Sequence, residues 1–447
     1  MSQPGVPFDE LTALVRAGRI REFQERARGL DPADLADVFA ALDEEERLAA
    51  VRTLPARLSG QALVMMPEDE HAEETLAALA PTEAAGIVGT LEDDDAADIL
   101  GEMAPDEQRR ILDQVGAEDR AEFQSLLKYG KETAGGLMTA RVMTVRDIDT
   151  AAEAIEEIRG QSEETGEFYQ VFVVDGTGKL QGVLPLRDLV TSRADRPVRE
   201  FMEAVVHSVR PEEDQEAVAR LMSRYNLPSV PVIDQEGRLL GRVTFDDVID
   251  VVEAEGTEDM LKFGGTSADE EVAGTWWQAV KSRLPWLYVN LATAFLAGGV
   301  VKIFLDTVNR LTDLAIWMPI IAGMGGNAGT QALAVSVRGL ALGLLTMKEF
   351  WRVIGKEMLV GLVNGAANGA VSALVALLIH ETPMLGVCVF LSMTGNLFVA
   401  GFAGAFIPMI LKRLNVDPAI ASSIFVTTFT DVCGFLMLFM TARALIL

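Results

Sequence analysis

Asp431 is the residue whose surroundings most need a chemical reason. It lies twelve residues in from Ala419 and fourteen from Leu445, in the last apolar run of the chain. About 20 apolar residues suffice to cross a bilayer, so this carboxylate falls near the midplane of a crossing segment. A charge there costs at least ~2.5 kcal/mol and by default marks an ion path or a relay. Thr427, Thr428 and Thr430 add hydroxyl oxygens, and Gly434 follows one turn on. Lys302, near the end of another apolar run, is the one plausible basic partner.

A second polar constellation lies in the run Leu314–Leu345: Pro319-Ile-Ile-Ala-Gly-Met-Gly-Gly-Asn-Ala-Gly-Thr-Gln331. Pro319 and the glycines predict a broken membrane helix. Backbone and amide oxygens around Gly325, Gly326 and Asn327 would then be exposed, which hydrocarbon tolerates only inside protein or along water. Gly325 and Gly329 also form a small-xxx-small pair of the kind that lets helices touch. Packing and pore lining both fit this stretch alone. Asn364 and Asn368, beside Gly361, Gly365 and Gly369, read as packing.

The net charge of −28 conceals a division. From Trp276 onward eleven Lys/Arg face seven Asp/Glu, a net of +4; the first 275 residues hold 27 basic and 59 acidic residues, a net of −32. An acidic part thus precedes an apolar one. Such a surface attracts cations and excludes nucleic acid, which needs a basic face. Cys388 and Cys433 both fall in apolar runs, so neither a disulfide framework nor a CxxC site is expected. The polar stretch Met1–Glu10 has no apolar core of a signal peptide.

The elements that must position these residues begin with a repeat. Apolar residues recur every twelve positions at Leu30, Leu42, Leu54 and Met66, then, after one slip, at Leu79, Leu91, Met103 and Val115. Most precede a Pro or an acid, the way short helices start. Stacked, these units make a small α-superhelix. Asp93-Asp94-Asp95 with Asp98 is denser than capping requires. From Gly136 to Val252 two β-α-β-β-α copies follow: Val171–Gly182 matches Val230–Gly241 at an offset of 59. Val248–Phe263 continues as an acidic helix whose Ile249, Val252 and Met260 predict an apolar packing side. Linkers are expected around Tyr129–Gly136 and Thr257–Thr275. Five apolar segments then run Leu284–Phe304, Leu314–Leu340, Ile354–Ile379, Met384–Leu411 and Ala419–Leu445. Basic clusters at Lys281/Arg283, Arg338/Lys348/Arg352/Lys356 and Lys412/Arg413 place the N-terminus in the cytosol and the C-terminus outside; the stretches Asp306–Asp313 and His380–Pro383 carry only Arg310.

The two copies resemble a tandem CBS pair, a module whose members often bind adenine nucleotides between repeats. Thr244 and Asp247 match its ribose-binding Thr/Ser-x-x-Asp pattern; Arg187 and Asp188 stand at the equivalent helix start of the first repeat, where Leu184 replaces the Thr/Ser. The whole order resembles the MgtE magnesium channels, most sharply in Pro319-x-x-x-Gly-x-Gly-Gly-Asn-x-Gly-x-Gln331 and Thr-x-x-x-Asp431-x-x-Gly434-Phe435. The resemblance implies a multidomain α + α/β + membrane α protein. Its parts are an acidic α-superhelical repeat domain (1–130), a tandem CBS pair (136–252), an acidic connecting or plug helix with linker (246–275) and a five-helix transmembrane pore domain (276–447). It implies a multi-pass homodimer in the plasma (inner) membrane, Mg²⁺ as ion, and ATP or another adenine nucleotide as ligand. Asp431 would be the central pore carboxylate, with Gly325, Gly326, Asn327 and Thr428 on the path and Asp417 at the cytosolic mouth. Asp94, Asp95, Asp98, Asp247, Asp250, Glu255, Glu258 and Asp259 would sense cytosolic Mg²⁺ and close the pore by feedback.

Three other classes fit less well. A cation-coupled secondary transporter of divalent metals such as Co²⁺ or Mn²⁺ would want further intramembrane acids, and the apolar runs offer none. A membrane-tethered nucleotide sensor leaves Asp431 unexplained. An enzyme would need a nucleophile–base pair or a metal motif in the apolar part.

Overall fold

The structure is a computed structural model. It describes the chain except residues 1–7, 68–69, 163–167, 169, 268–269, 271–273, 342–344, 346–348, 380–381 and 415, and the side chains of 419–422. Lys348 and His380, used above for orientation, lie outside the described residues. The chain divides into two compact units, Met1–Glu253 and Ala254–Leu447.

The first unit opens with short helices: α1 (Phe8–Arg16), α2 (Ile20–Ala27), α3 (Pro32–Ala40), α4 (Glu44–Thr53), α5 (Ala56–Val64), α6 (Ala72–Ala77), α7 (Pro81–Val88), α8 (Asp93–Glu102), α9 (Pro105–Leu112) and α10 (Ala117–Leu126). Asp31 accepts from the Ala33 N–H, Asp43 and Glu46 form a capping box, and Pro32, Pro81 and Pro105 occupy first turns. Helices this short are marginal alone and persist through packing. The twelve-residue repeat supplies that packing: Leu42, Leu54, Met66, Leu79, Leu91, Met103 and Val115 are all buried in one core.

In the first of the two β-α-β-β-α copies β1 (Thr144–Arg146) pairs parallel with β2 (Gln170–Val174), which pairs antiparallel with β3 (Leu180–Pro185). The helices α11 (Ala151–Gln161) and α12 (Leu186–Thr191) flank them. The second repeat has α13 (Gln215–Tyr225) and the antiparallel pair β4 (Ser229–Ile233) and β5 (Leu239–Thr244). The offset of 59 recurs in the pairing, Gln170↔Pro185 against Ser229↔Thr244. It recurs again in contacts between the repeats, where Gln170 Nε2 donates to Ser229 Oγ at 2.8 Å and Lys179 bridges Arg238. Gly178 and Gly237, at φ +79° and +84°, make the two hairpin turns that an L side chain would strain. Tyr129–Gly136 is not a free linker. Ala134 is fully buried, and the Ala134 and Gly135 N–H groups donate to the carbonyls of Glu213 and Pro211.

The helix α14 (Phe245–Phe263) runs unbroken, and the division between units falls within it. Its buried residues are Val248 and Val251, whereas Ile249, Val252 and Met260, expected to pack, are exposed. The apolar side is set one position round from the expected one. The second unit continues with α15 (Trp276–Ile303), α16 (Leu305–Arg310), α17 (Leu314–Ala341), α18 (Phe350–Ile379), α19 (Pro383–Arg413) and α20 (Pro418–Leu445). Among the described residues four helices are long and apolar enough to cross a membrane: α15, α18, α19 and the Ser423–Leu445 part of α20. The helix α17 is as long as α15, at 28 residues, but Asn327, Gln331 and its glycines lower its apolar character.

Candidate ion path and acidic cluster

The helix α17 is continuous through Pro319 and the Gly-rich stretch, so the expected break is absent. Pro319 sits in the second turn, where a missing N–H removes one hydrogen bond near a helix end that already lacks several. The glycines answer to packing instead. A Cβ on Gly325 would run into the Asn396 amide, and one on Gly329 would lie 2.5 Å from Val426 Cγ1. Gly325 is therefore buried against α19 and α20, while Asn327 and Gln331 fall on the exposed side of α17. Gly326 faces the Thr427 methyl of α20 at 3.7 Å.

Asp431 lies one turn beyond Thr427 on the same side of α20, beside the α17–α20 seam that Asn327 borders. It is half-buried and has no ion pair among the described residues. Thr427 and Thr428 donate their hydroxyl hydrogens back to the Ser423 and Ile424 carbonyls at 2.8 and 2.7 Å. Their oxygens are thereby left as acceptors, suited to the water hydrogens of a hydrated cation. Thr430 is fully buried against Gly325 and Gly329 and adds packing.

The end of α14 docks within the same unit. Phe263 packs with Leu333, Val337, Val426 and Ile407. Lys262 Nζ donates to Asp417 Oδ2 at 2.8 Å and also pairs with Glu258. A candidate mouth acid and a candidate sensor acid thus share one ammonium, which the sequence reading missed. Glu255 and Asp259 are half-buried on the same helix. Glu357 corrects the expectation of no further acid in the apolar runs. It lies in α18 with a side chain 8% exposed, 3.0 Å from Lys356 Nζ.

In the first unit, Ala97 of α8 and Leu126 of α10 join the core of the second β-α-β-β-α copy with Val248 and Val251 of α14. This brings Asp94, Asp95 and Asp98 towards Asp247. Burial and then the charges of Asp247, Asp95 and Glu92 push the Asp94 carboxyl well above the usual carboxylate range. Burial and then the charges of Glu92, Asp247, Asp98 and Asp246 raise Asp95 to about 7. Asp247 is raised to about 6, mainly by burial, although the Thr244 hydroxyl and N–H both donate to its Oδ2. Asp250 is raised by burial and by Glu253 and Asp246. No ion pair reaches Asp94, Asp95, Asp247 or Asp250 among the described residues. Asp93 differs: it pairs with Arg141, which also meets Asp119 and Glu122. Among the described residues no three such side chains form a ready metal cage. Mg²⁺ keeps several waters and needs only one or two direct carboxylates.

Thr244 and Asp247 cap the start of α14, so Asp247 stands at once in the nucleotide pattern and in the acidic cluster. Arg187 pairs with the adjacent Asp188 at 3.1 Å and is otherwise open to solvent.

A soluble acidic superhelix, a CBS pair and a bundle of membrane-length helices, one bearing a carboxylate with no ion pair among the described residues, define a class: multi-helix membrane proteins bearing a CBS-containing soluble part. Family models agree along the chain, with a divalent cation transporter model over residues 318–441, an MgtE intracellular N domain over 30–132, and CBS domains over 134–195 and 198–254. Proteins named magnesium transporter MgtE from Thermus thermophilus (35% identical, 98% of each chain), Enterococcus faecalis (36%, 97% of this chain and 95% of the relative) and Bacillus subtilis (33%, 98% of each) are similar over nearly their whole length. The cytosolic domain of the Mg²⁺ channel MgtE, solved in complex with ATP, is 35% identical and covers 55% of this chain and all of that one, with a TM-score of 0.52. The chain belongs to the MgtE family of divalent cation transporters.

Proposed function

We propose that this protein conducts Mg²⁺ across the plasma (inner) membrane through a pore formed by two copies about a two-fold axis, with α17 and α20 lining it. The observation that carries this is Asp431: a half-buried carboxylate with no ion pair among the described residues, beside the seam bordered by Asn327. One such carboxylate is a thin site, whereas two across a symmetry axis hold a hydrated divalent ion. Asn327, Gly326 and Thr428 offer acceptors to its water shell, and Gly325 acts through packing. Asp417 stands at the cytosolic mouth.

Cytosolic Mg²⁺ closes this pore by binding the acids of α8 and α14. Carboxylates held close without cations repel, and a bridging ion favours whichever form brings them together. An adenine nucleotide binds between the CBS repeats near Thr244, Arg187 and Asp188; a relative's soluble domain was solved with ATP. The N-terminus lies in the cytosol and the C-terminus outside. Mg²⁺ influx into liposomes tests the path. Asp431→Ala abolishes it under this proposal, and undiminished influx refutes the assignment. Buried Glu357 favours a second reading, coupled transport with that acid as a relay. Influx that requires a pH gradient selects the second reading, and influx indifferent to the gradient selects the channel.

A further inference from the structure

Asn396 is a fully buried amide in the middle of α19. Its Nδ2 donates to the Ile321 carbonyl of α17 at 2.9 Å. The same nitrogen lies where a Cβ on Gly325 would stand, and it would be 2.7 Å from a Cβ on Gly434 of α20. Cγ and Oδ1 would be 3.0 and 3.2 Å from that second Cβ. The amide therefore fills the notch left by two missing side chains. Gly325 precedes Asn327 by two positions, and Gly434 follows Asp431 by three. Oδ1 has no hydrogen-bond partner among the described residues. Burying an unpaired amide oxygen costs roughly 1–3 kcal/mol, which a leucine of the same branching avoids. Stability alone does not select an amide here.

We propose that Asn396 is a positioning residue that sets the spacing and rotation of α17 against α20, and through them of Asn327 against Asp431. The inference rests on the ion-path reading above. The branched amide acts as a wedge between the two helices, and its hydrogen bond to Ile321 fixes the height of α17 against it. Gly325 and Gly434 are the two walls of the wedge's seat. A path that handles a hydrated ion through second-layer contacts loses selectivity when its groups shift by about 1 Å.

The test uses full-length protein in liposomes and reads the Mg²⁺/Na⁺ permeability ratio, Mg²⁺ influx and melting temperature together. Asn396→Ala removes the wedge and lowers the ratio about tenfold at an unchanged amount of folded protein. Asn396→Leu keeps the wedge and loses the hydrogen bond, and lowers the ratio about threefold; it also covers the case in which the alanine variant does not fold. The double variant Asn396→Ala/Gly325→Ala puts a methyl into the vacated seat and recovers the ratio to within about threefold of the parent. An unchanged ratio in every Asn396 variant, with influx falling only as folded protein falls, overturns the proposal. Asp431→Ala, run alongside, separates the two readings: parental influx in that variant overturns the path itself, whereas a silent Asp431→Ala beside unaffected Asn396 variants overturns only the positioning role.

Discussion

Protons and Mg²⁺ should compete for the α8–α14 acids, and the competition should appear in stability. Asp95 is raised to about 7 and Asp247 to about 6, against ordinary values near 3.8. A folded carboxyl with a raised pKa holds its proton more tightly than the unfolded chain does. Stability is then fully favoured below the unfolded value and falls as pH rises from about 4 through about 7. The rise of Asp95 to about 7 corresponds to ~4 kcal/mol, and solvent screening at this partly solvated site leaves about half of it, ~2 kcal/mol. For a unit of this size that is a melting shift of roughly 4–8 °C. About half of that window lies above pH 5.5, so the full-length protein in EDTA should melt roughly 2–4 °C lower at pH 8 than at pH 5.5, and millimolar Mg²⁺ should close most of the gap. Other acids titrate in this window, so Asp95→Asn is the discriminating variant. At pH 8 in EDTA it should melt above the parent, and it should gain less from Mg²⁺. A parent indifferent to pH in EDTA, or an Asp95→Asn protein with undiminished Mg²⁺ stabilisation, would refute the reasoning.

Lys262→Gln leaves Glu258 and Asp417 facing each other without their ammonium. In EDTA the end of α14 should exchange its amide hydrogens about tenfold faster, and Mg²⁺ should restore protection more in this variant than in the parent, as measured by hydrogen exchange. Asn327→Leu should cut Mg²⁺ influx at least about tenfold. Asn364→Leu and Asn368→Leu, exposed beside the Gly361–Gly365–Gly369 packing face, should retain influx within about twofold in the same liposome assay.

The soluble fold was legible because its signals are local. Proline or acidic helix starts recur with a buried apolar residue every twelve positions, and the hairpin copies repeat at 59, down to their matching registers. The membrane helices were legible from their length and apolar character. What the sequence concealed depends on which faces meet. Pro319 and its glycines look like a break, yet the same glycines are what a straight helix needs where Asn396 and Val426 press against it. Spacing cannot separate those cases, because the partner lies some seventy residues away. Asn396, Lys262 and Glu357 are single polar residues in runs of other character, and each gains meaning only from a neighbour distant in sequence or from burial. Arg141 is similar: the residues around it give no sign that it meets Asp93, Asp119 and Glu122.

The most direct test is single-channel recording from the full-length protein in a planar bilayer, with Mg²⁺ as the only permeant cation and its cytosolic concentration stepped from nominally zero to about 10 mM. A feedback switch built from several millimolar sites, each contributing ~1.4 kcal/mol at ten times its dissociation constant, predicts discrete Mg²⁺ currents whose open probability falls steeply over that range. It also predicts silence from Asp431→Ala at every concentration. Discrete currents that ignore cytosolic Mg²⁺, or parental currents from Asp431→Ala, would contradict it.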